Sequence, residues 1–319
     1  MKALKTTLTA IVILALFAGG FYFAFPKQAA RMFMAGSLWI TWMRRSTVEI
    51  DGYTIHTLDG GHGEPLVILH GIYSRKENWL KFGRKLDAYT RVVIPDIPGF
   101  GDNKLLPPEE YTVEKQAKRI IAMLDRLNIK KFHLAGSSMG GAIAAFVAHK
   151  RPDRIHSLAF LGGPYGVRSP RPSELDEKLA SGMDNPLIVP DAASLTIRDA
   201  WLAPRTPYFH DMLRRAWPVE AAADAETQKR IWNKLAAHPP NLLAIAPKIT
   251  APTLVFWCDG DRVFDVSGAY RLAEALQKAK LHLMKDCGHS PVIDRSNWLA
   301  KHYVRDLKLI EAGVWPPHD

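Results

Sequence analysis

Cysteine is nearly missing from this chain: its 319 residues hold two, Cys258 and Cys287. A fold stapled by a disulfide framework is thereby excluded, and burial of apolar side chains has to hold the protein together. The two thiols read as small, partly buried hydrophobes, each beside a candidate site residue. In the sheet inferred below they would end neighbouring strands, so a bond between them is the alternative. Acid is missing from Met1 to Val48, a stretch without Asp or Glu that carries Lys2, Lys5, Lys27, Arg31, Arg44 and Arg45. The formal charge of +10 is therefore concentrated at one end, next to an apolar run, and the remainder is close to balanced. That distribution marks a membrane flank and excludes a basic face for nucleic acid. Zinc-finger spacing, a helix-turn-helix signal, a basic–aromatic stripe, internal repeats and low-complexity tracts are all absent.

What the first residues do contain is Leu8–Phe25 (LTAIVILALFAGGFYFAF), 18 residues without a charge. As a helix it would extend about 27 Å, close to the ~30 Å hydrocarbon layer of a bilayer. A cleavable signal peptide is the competing reading. Phe21, Tyr22, Phe23 and Phe25 are bulky where cleavage requires small residues, so residues 1–27 read as an uncleaved, single-pass anchor. Positive charges flank both ends, and charge does not choose its orientation. Over residues 28–46, Met32, Ala35, Trp39, Trp42 and Met43 recur at helical spacing with Arg31, Arg44 and Arg45 nearby. This amphipathic segment suits the headgroup layer, or equally a seat against the folded body.

With 47% apolar and 23% charged residues, the rest has the make-up of an ordinary folded body. Short β-like runs alternate with helical stretches from Val48 onward. Val48–Leu58 reads as a hairpin about Asp51-Gly52. Pro65–His70, Arg91–Pro95, Phe132–Ala135, Ile155–Leu161, Thr253–Trp257 and Leu281–Met284 read as buried strands. Helices are expected over Trp79–Ala88, Thr112–Leu127, Gly140–His149, Gly268–Lys278 and Trp298–Ile310. Such alternation implies an α/β fold: a mostly parallel, eight-stranded sheet with helices on both faces and chemistry beyond the carboxyl ends of its strands. The pattern breaks over residues 165–250, rich in proline, which read as a helical cap inserted between a first core part (47–164) and a second (251–319). Trp201, Phe209, Trp217 and Trp232 would pack inside this cap or line an acyl site.

Gly136-Ser137-Ser138-Met139-Gly140 follows the strand FHLA and opens an apolar helix, the setting of a G-x-S-x-G nucleophile elbow. The glycines are required because side chains there would collide with neighbouring backbone. A serine hydroxyl needs a base. His289, in DCGHSPVID after the last strand, is the choice among twelve histidines; His70, at the end of PLVILH, is its main rival. The base needs a carboxylate to orient it, and Asp261 in CDGDRVF completes the chain order Ser, Asp, His. Asp259 is the alternative, with Asp286 and Asp294 behind it. The oxyanion calls for donors, for which the backbone N–H groups of Met139 and Ile72 are the candidates.

Together, LHGIYSRKENW, VIPDIPGFGDN, LAGSSMGG, LVFWCDGDRVFDVSGA and DCGHSPVID resemble the α/β-hydrolase superfamily. Within it the chain is similar to membrane-anchored monoacylglycerol lipases of the α/β-hydrolase-domain group and to related bacterial lipases. The resemblance covers roughly Val48–Arg305 and is weakest in the cap. It implies Ser138, Asp261 and His289 as a triad, Ile72 and Met139 as oxyanion donors, a structural role for His70 and no cofactor. Cys258 departs from it, since relatives commonly have Gly before the acid loop. The implied activity is hydrolysis of lipid or other small-molecule acyl esters through an acyl-enzyme, by a protein tethered to a bacterial inner membrane. A C–C bond hydrolase of ring-cleavage products uses the same triad, although the sequence after His70 lacks the Gly-rich stretch expected of one. A non-catalytic binding protein on a hydrolase scaffold is the alternative from another class. Dehalogenases and epoxide hydrolases need Asp as nucleophile and are excluded by Ser138.

Overall fold

The computed structural model describes residues 2–41, 43–204 and 225–315. Its strands are β1 (Arg44–Ile50), β2 (Tyr53–Gly60), β3 (Pro65–Leu69), β4 (Arg91–Pro95), β5 (Phe132–Ser138), β6 (Ile155–Pro164), β7 (Thr253–Cys258) and β8 (Ala279–Met284). They form one eight-stranded sheet in the order β1-β2-β4-β3-β5-β6-β7-β8. β2 is antiparallel to both β1 and β4, and every pairing from β4 to β8 is parallel. The β1–β2 hairpin turns at Asp51-Gly52, where both residues have positive φ.

The central parallel strands are mostly apolar because both faces are covered, whereas the edge strand β8 carries Lys280 and His282 and is half-buried. Val67 and Leu69 of β3 join a core with α4 (Val113–Arg126) and α5 (Met139–Lys150). Leu66 and Ile68, alternating with them, join the opposite core with Leu299, Tyr303 and Leu307 of α12 (Ser296–Glu311). Helix α4 starts where Thr112 caps the backbone N–H of Lys115, and it buries Val113, Ala117, Ile120, Met123 and Leu124 on one stripe. α5 has no polar stripe and is buried from Met139 to Ala148, as a helix wedged between sheet and neighbours must be. The remaining helices of the second core part are α10 (Ser267–Ala275) and α11 (Pro291–Asp294).

Two expectations need correction. Trp79–Ala88 is not one regular helix: a 3-10 turn over Lys76–Trp79 runs into a single α-turn, α3 (Leu80–Gly83). Beyond Gly83 the chain continues as mixed turns, Lys85 and Leu86 donating three residues back and Asp87 four, and glycine in mid-segment disfavours a continuous helix. The cysteines are not free thiols: Cys258 and Cys287 form a disulfide with Cα atoms 5.3 Å apart. Both are fully buried, and the paired strands β7 and β8 bring the two segments side by side.

Helix α1 (Lys2–Ala24) contains Thr6–Ala24, long and apolar enough to cross a membrane, with none of that window buried. α2 (Pro26–Thr41) follows. Leu38 of α2 packs with Met43, Leu58, Trp79 and Phe82, so this segment sits partly against the body, while Met32 is exposed. Trp42 and the side chains of Ala35 and Trp39 lie outside what is described.

Between the two core parts lie α6 (Glu174–Ala180), α7 (Ala192–Leu202), α8 (Ala225–Ala237) and α9 (Leu242–Ile245). Trp201 and Trp232 pack on a small cluster of Leu175, Leu187 and Val263. Phe209 and Trp217 lie outside the described residues.

Candidate active site

The chain reverses from β5 into α5 at Ser138, whose backbone has φ 54° and ψ −122°. Side chains rarely adopt this conformation, and the surrounding backbone enforces it. A Cβ at Gly136 would stand closer to the carbonyl of Gly140 than real Cβ atoms come, and one at Gly140 would strike the carbonyls of Leu69 and His70. The elbow is therefore held by backbone packed on backbone. As the first residue of α5, Met139 has an N–H that the helix itself leaves unpaired. Gly71 lies against the serine, its Cβ position 3.2 Å from Ser138 Cβ, and brings Ile72 into the same wall.

His289 sits in the loop between β8 and α11 with its Nδ1 at 3.1 and 3.0 Å from the two oxygens of Asp261. Asp261 is fixed in turn, because its Oδ1 accepts the backbone N–H groups of Val263 at 2.9 Å and Phe264 at 3.0 Å. This places the imidazole hydrogen on Nδ1 and leaves Nε2 as the basic nitrogen. The Phe264 ring meets the imidazole edge-on at 5.2 Å. Ser138, His289 and Ile72 line one cavity of about 300 Å³, and the Asp261 carboxylate stands behind the histidine. Leu105, Leu187, Leu195, Leu202 and Ile231 supply apolar wall, while Arg198 and Asp199 of α7 form an ion pair in it at 3.1 Å.

The rival residues are elsewhere. His70 is fully buried, donates from Nδ1 to the Gly71 carbonyl at 2.8 Å and accepts the Ile97 N–H on Nε2 at 2.9 Å. Burial lowers its pKa and keeps it neutral. Asp259 is exposed. Asp286 pairs with Arg295, and Asp294 accepts the Gly288 N–H at 2.8 Å, so it braces the histidine loop. The disulfide reaches the same two loops: Cys258 ends the strand before Asp261, and Cys287 precedes His289.

A buried ionic cluster behind Ile72 was not foreseen from the sequence. Lys76, 1% exposed, places its ammonium 2.6 Å from Asp96 Oδ2, 2.6 Å from Asp102 Oδ2 and 3.2 Å from Glu77 Oε1. Asp96 also accepts the backbone N–H groups of Lys76 at 2.7 Å and Asp102 at 2.9 Å. Arg75 pairs with Glu77 and Asp102, and Arg45 of β1 reaches Glu77 at 3.1 Å. Burial works against the Lys76 ammonium, but Asp96 and Glu77 outweigh it and raise its pKa. Glu77 is held below the usual carboxylate range, where Lys76 and Arg75 overcome the upward push of burial. The carboxylates of Glu77, Asp96 and Asp102 converge closely enough to suit a metal ion, yet the lysine ammonium already supplies the positive charge there. The one trace in the sequence is a Lys-Glu pair directly after a strand-end turn.

Residues 64–296 match the family model of the alpha/beta hydrolase fold. Lipase 1 of Psychrobacter immobilis is 26% identical over 252 residues, covering 78% of each chain. A 2-hydroxy-6-oxononadienedioate/2-hydroxy-6-oxononatrienedioate hydrolase of Escherichia coli is 31% identical over 265 residues, 76% of this chain and 87% of that one. The crystal structure of a membrane phospholipase A is 32% identical and superposes with a TM-score of 0.86 over 97% of this chain and 99% of that one.

Proposed function

The chain belongs to the α/β-hydrolase fold family and is an ester hydrolase with lipase relatives, and on that premise we propose that it is a membrane-anchored serine hydrolase of acylglycerol-type lipid esters. Ser138 is the nucleophile, His289 the base and Asp261 the group that orients the base. Ser138 Oγ attacks the ester carbonyl as His289 Nε2 takes its proton, and the N–H groups of Ile72 and Met139 receive the oxyanion. His289 then protonates the leaving alcohol. Water, deprotonated by the same imidazole, splits the acyl-enzyme to free acid and restores the serine.

The observation that carries this reading is the His289–Asp261 pair, 3.0 Å apart and opening onto the cavity that Ser138 lines. The apolar walls suit an acyl chain. Helix α1 supports an anchor, and the match to a membrane phospholipase A over nearly the whole chain supports it further. The buried disulfide supports placing the body on the oxidising face of the membrane, since such bonds rarely persist in a reducing cytoplasm.

A fluorophosphonate probe tests the chemistry. The full chain in detergent is expected to label and to hydrolyse a monoacylglycerol, and Ser138→Ala to do neither. An intact protein that resists the probe refutes the assignment. The Escherichia coli relative favours a second reading, C–C bond hydrolysis of a ring-cleavage product. Assaying a vinylogous diketone beside the monoacylglycerol separates the two.

A further inference from the structure

The triad assigned above is assembled from two separate loops, and the inference here rests on that assignment. Asp261 follows β7 and His289 follows β8. Each of these neighbouring parallel strands needs its catalytic loop to return the side chain over the sheet edge at the same height. Hydrogen bonds between the loops are few: Asp259 N–H to Met284 O at 2.9 Å and Gly260 N–H to Cys287 O at 3.2 Å. The turn that presents Asp261 closes on a long 3.4 Å contact from its own N–H to the Cys258 carbonyl. The covalent link between the loops is the Cys258–Cys287 bond, three residues before Asp261 on one side and two before His289 on the other.

We propose that this disulfide is the positioning element of the triad, so that catalytic power depends on oxidation of Cys258 and Cys287. Forming the bond removes two protons and two electrons from the pair of thiols and delivers them to a disulfide-bearing oxidant. Reduction by a dithiol reverses the exchange, returning one hydrogen to each Sγ and leaving the reagent as a disulfide. With the bond open, the two loops lose their covalent tie and are joined by those backbone contacts and by the His289–Asp261 hydrogen bonds themselves. A misplacement of about 1 Å in such an assembly costs on the order of a hundredfold in rate. The chain is then a weak hydrolase while reduced and a full one once oxidised, which keeps a lipid-cleaving site quiet until its body has left a thiol-rich compartment.

The test compares oxidised full-length protein, the same protein reduced with a phosphine, and the Cys258→Ala/Cys287→Ala variant, all in one detergent. Thiols are counted by alkylation and mass after quenching. The expected result is a kcat for a soluble short-chain ester ten- to a hundredfold lower in the reduced and variant proteins, with KM within about threefold. Fluorophosphonate labelling slows in parallel, and reoxidation restores it. Equal kcat and equal labelling in oxidised and reduced protein overturn the inference. So does loss of the cooperative unfolding transition on reduction, for the bond would then hold the fold and not the triad. Failure of the oxidised protein to label at all counts instead against Ser138 as nucleophile.

Discussion

Replacing Lys76 with Met removes an ammonium from the buried ionic cluster while keeping most of its volume. The amine that disappears touches Asp96 and Asp102 at 2.6 Å and Glu77 at 3.2 Å. Glu77 keeps Arg75 and Arg45, and Asp102 is half in solvent. Asp96 is 0% exposed and keeps only backbone donors and a neutral histidine 3.9 Å away. Breaking a buried pair by removing one partner costs about 3–5 kcal/mol, because the survivor is left charged and unsolvated. For a body of this size that corresponds to a fall in Tm of roughly 10 °C. The effect has a diagnostic partner: Lys76→Met with Asp96→Asn removes both charges and should recover about half or more of the loss. Thermal unfolding of the three proteins in detergent reads both effects. A Lys76→Met loss under 1 kcal/mol, or a double variant no more stable than the single, refutes the idea that the cluster binds the Ile72 loop to the Asp96–Asp102 loop.

Acid sensitivity should have a second source at the opposite end of the sheet. Burial, with His156 adding to it, lowers the pKa of His133 to about 3, and its Nδ1 contacts Ser157 Oγ at 2.8 Å. Glu311, itself pushed up by burial, lies 3.4 Å from Nε2 and does not reverse that direction. The unfolded histidine takes up its proton first as pH falls. Stability from this residue is thus complete above about pH 6.5 and declines toward pH 3, by ~1.4 kcal/mol per unit at most. His133→Gln should flatten the dependence of Tm on pH in that window, and an unchanged slope would count against it. A chain beginning at Lys27, without α1, should keep its rate on a water-soluble ester and lose roughly tenfold or more on lipid vesicles. Equal losses on both substrates would deny the anchor its part in delivering substrate.

The parts of this molecule that were legible in its sequence are those dominated by apolar periodicity or steric necessity. Arg91–Pro95 is found at its expected bounds because a strand buried on both faces shows as a short apolar run, here Val92–Pro95. The elbow was readable because only glycine fits at 136 and 140, and that constraint is written in the residues themselves. Lys76 was not, since in one dimension a buried lysine with three carboxylates looks the same as a solvated one. The helix expected at Trp79–Ala88 breaks at Gly83, where its apolar pattern gave no warning. The disulfide stood only as the alternative to free thiols, since two cysteines far apart in sequence carry no spacing signal of their own and the inferred adjacency of their strands was all that favoured it.

The backbone N–H of Ser290, next to the proposed base, donates to the carbonyl of Leu202 at the end of α7, 2.9 Å away. The cap and the histidine loop therefore share a fastening, and α7 does not lift away while that bond stands. A single neutral hydrogen bond contributes only about 1 kcal/mol, well below what burying a lipid tail returns. Any displacement of α7 therefore pulls on the loop that carries His289, so a substitution in the cap can be felt at the proposed base without touching it.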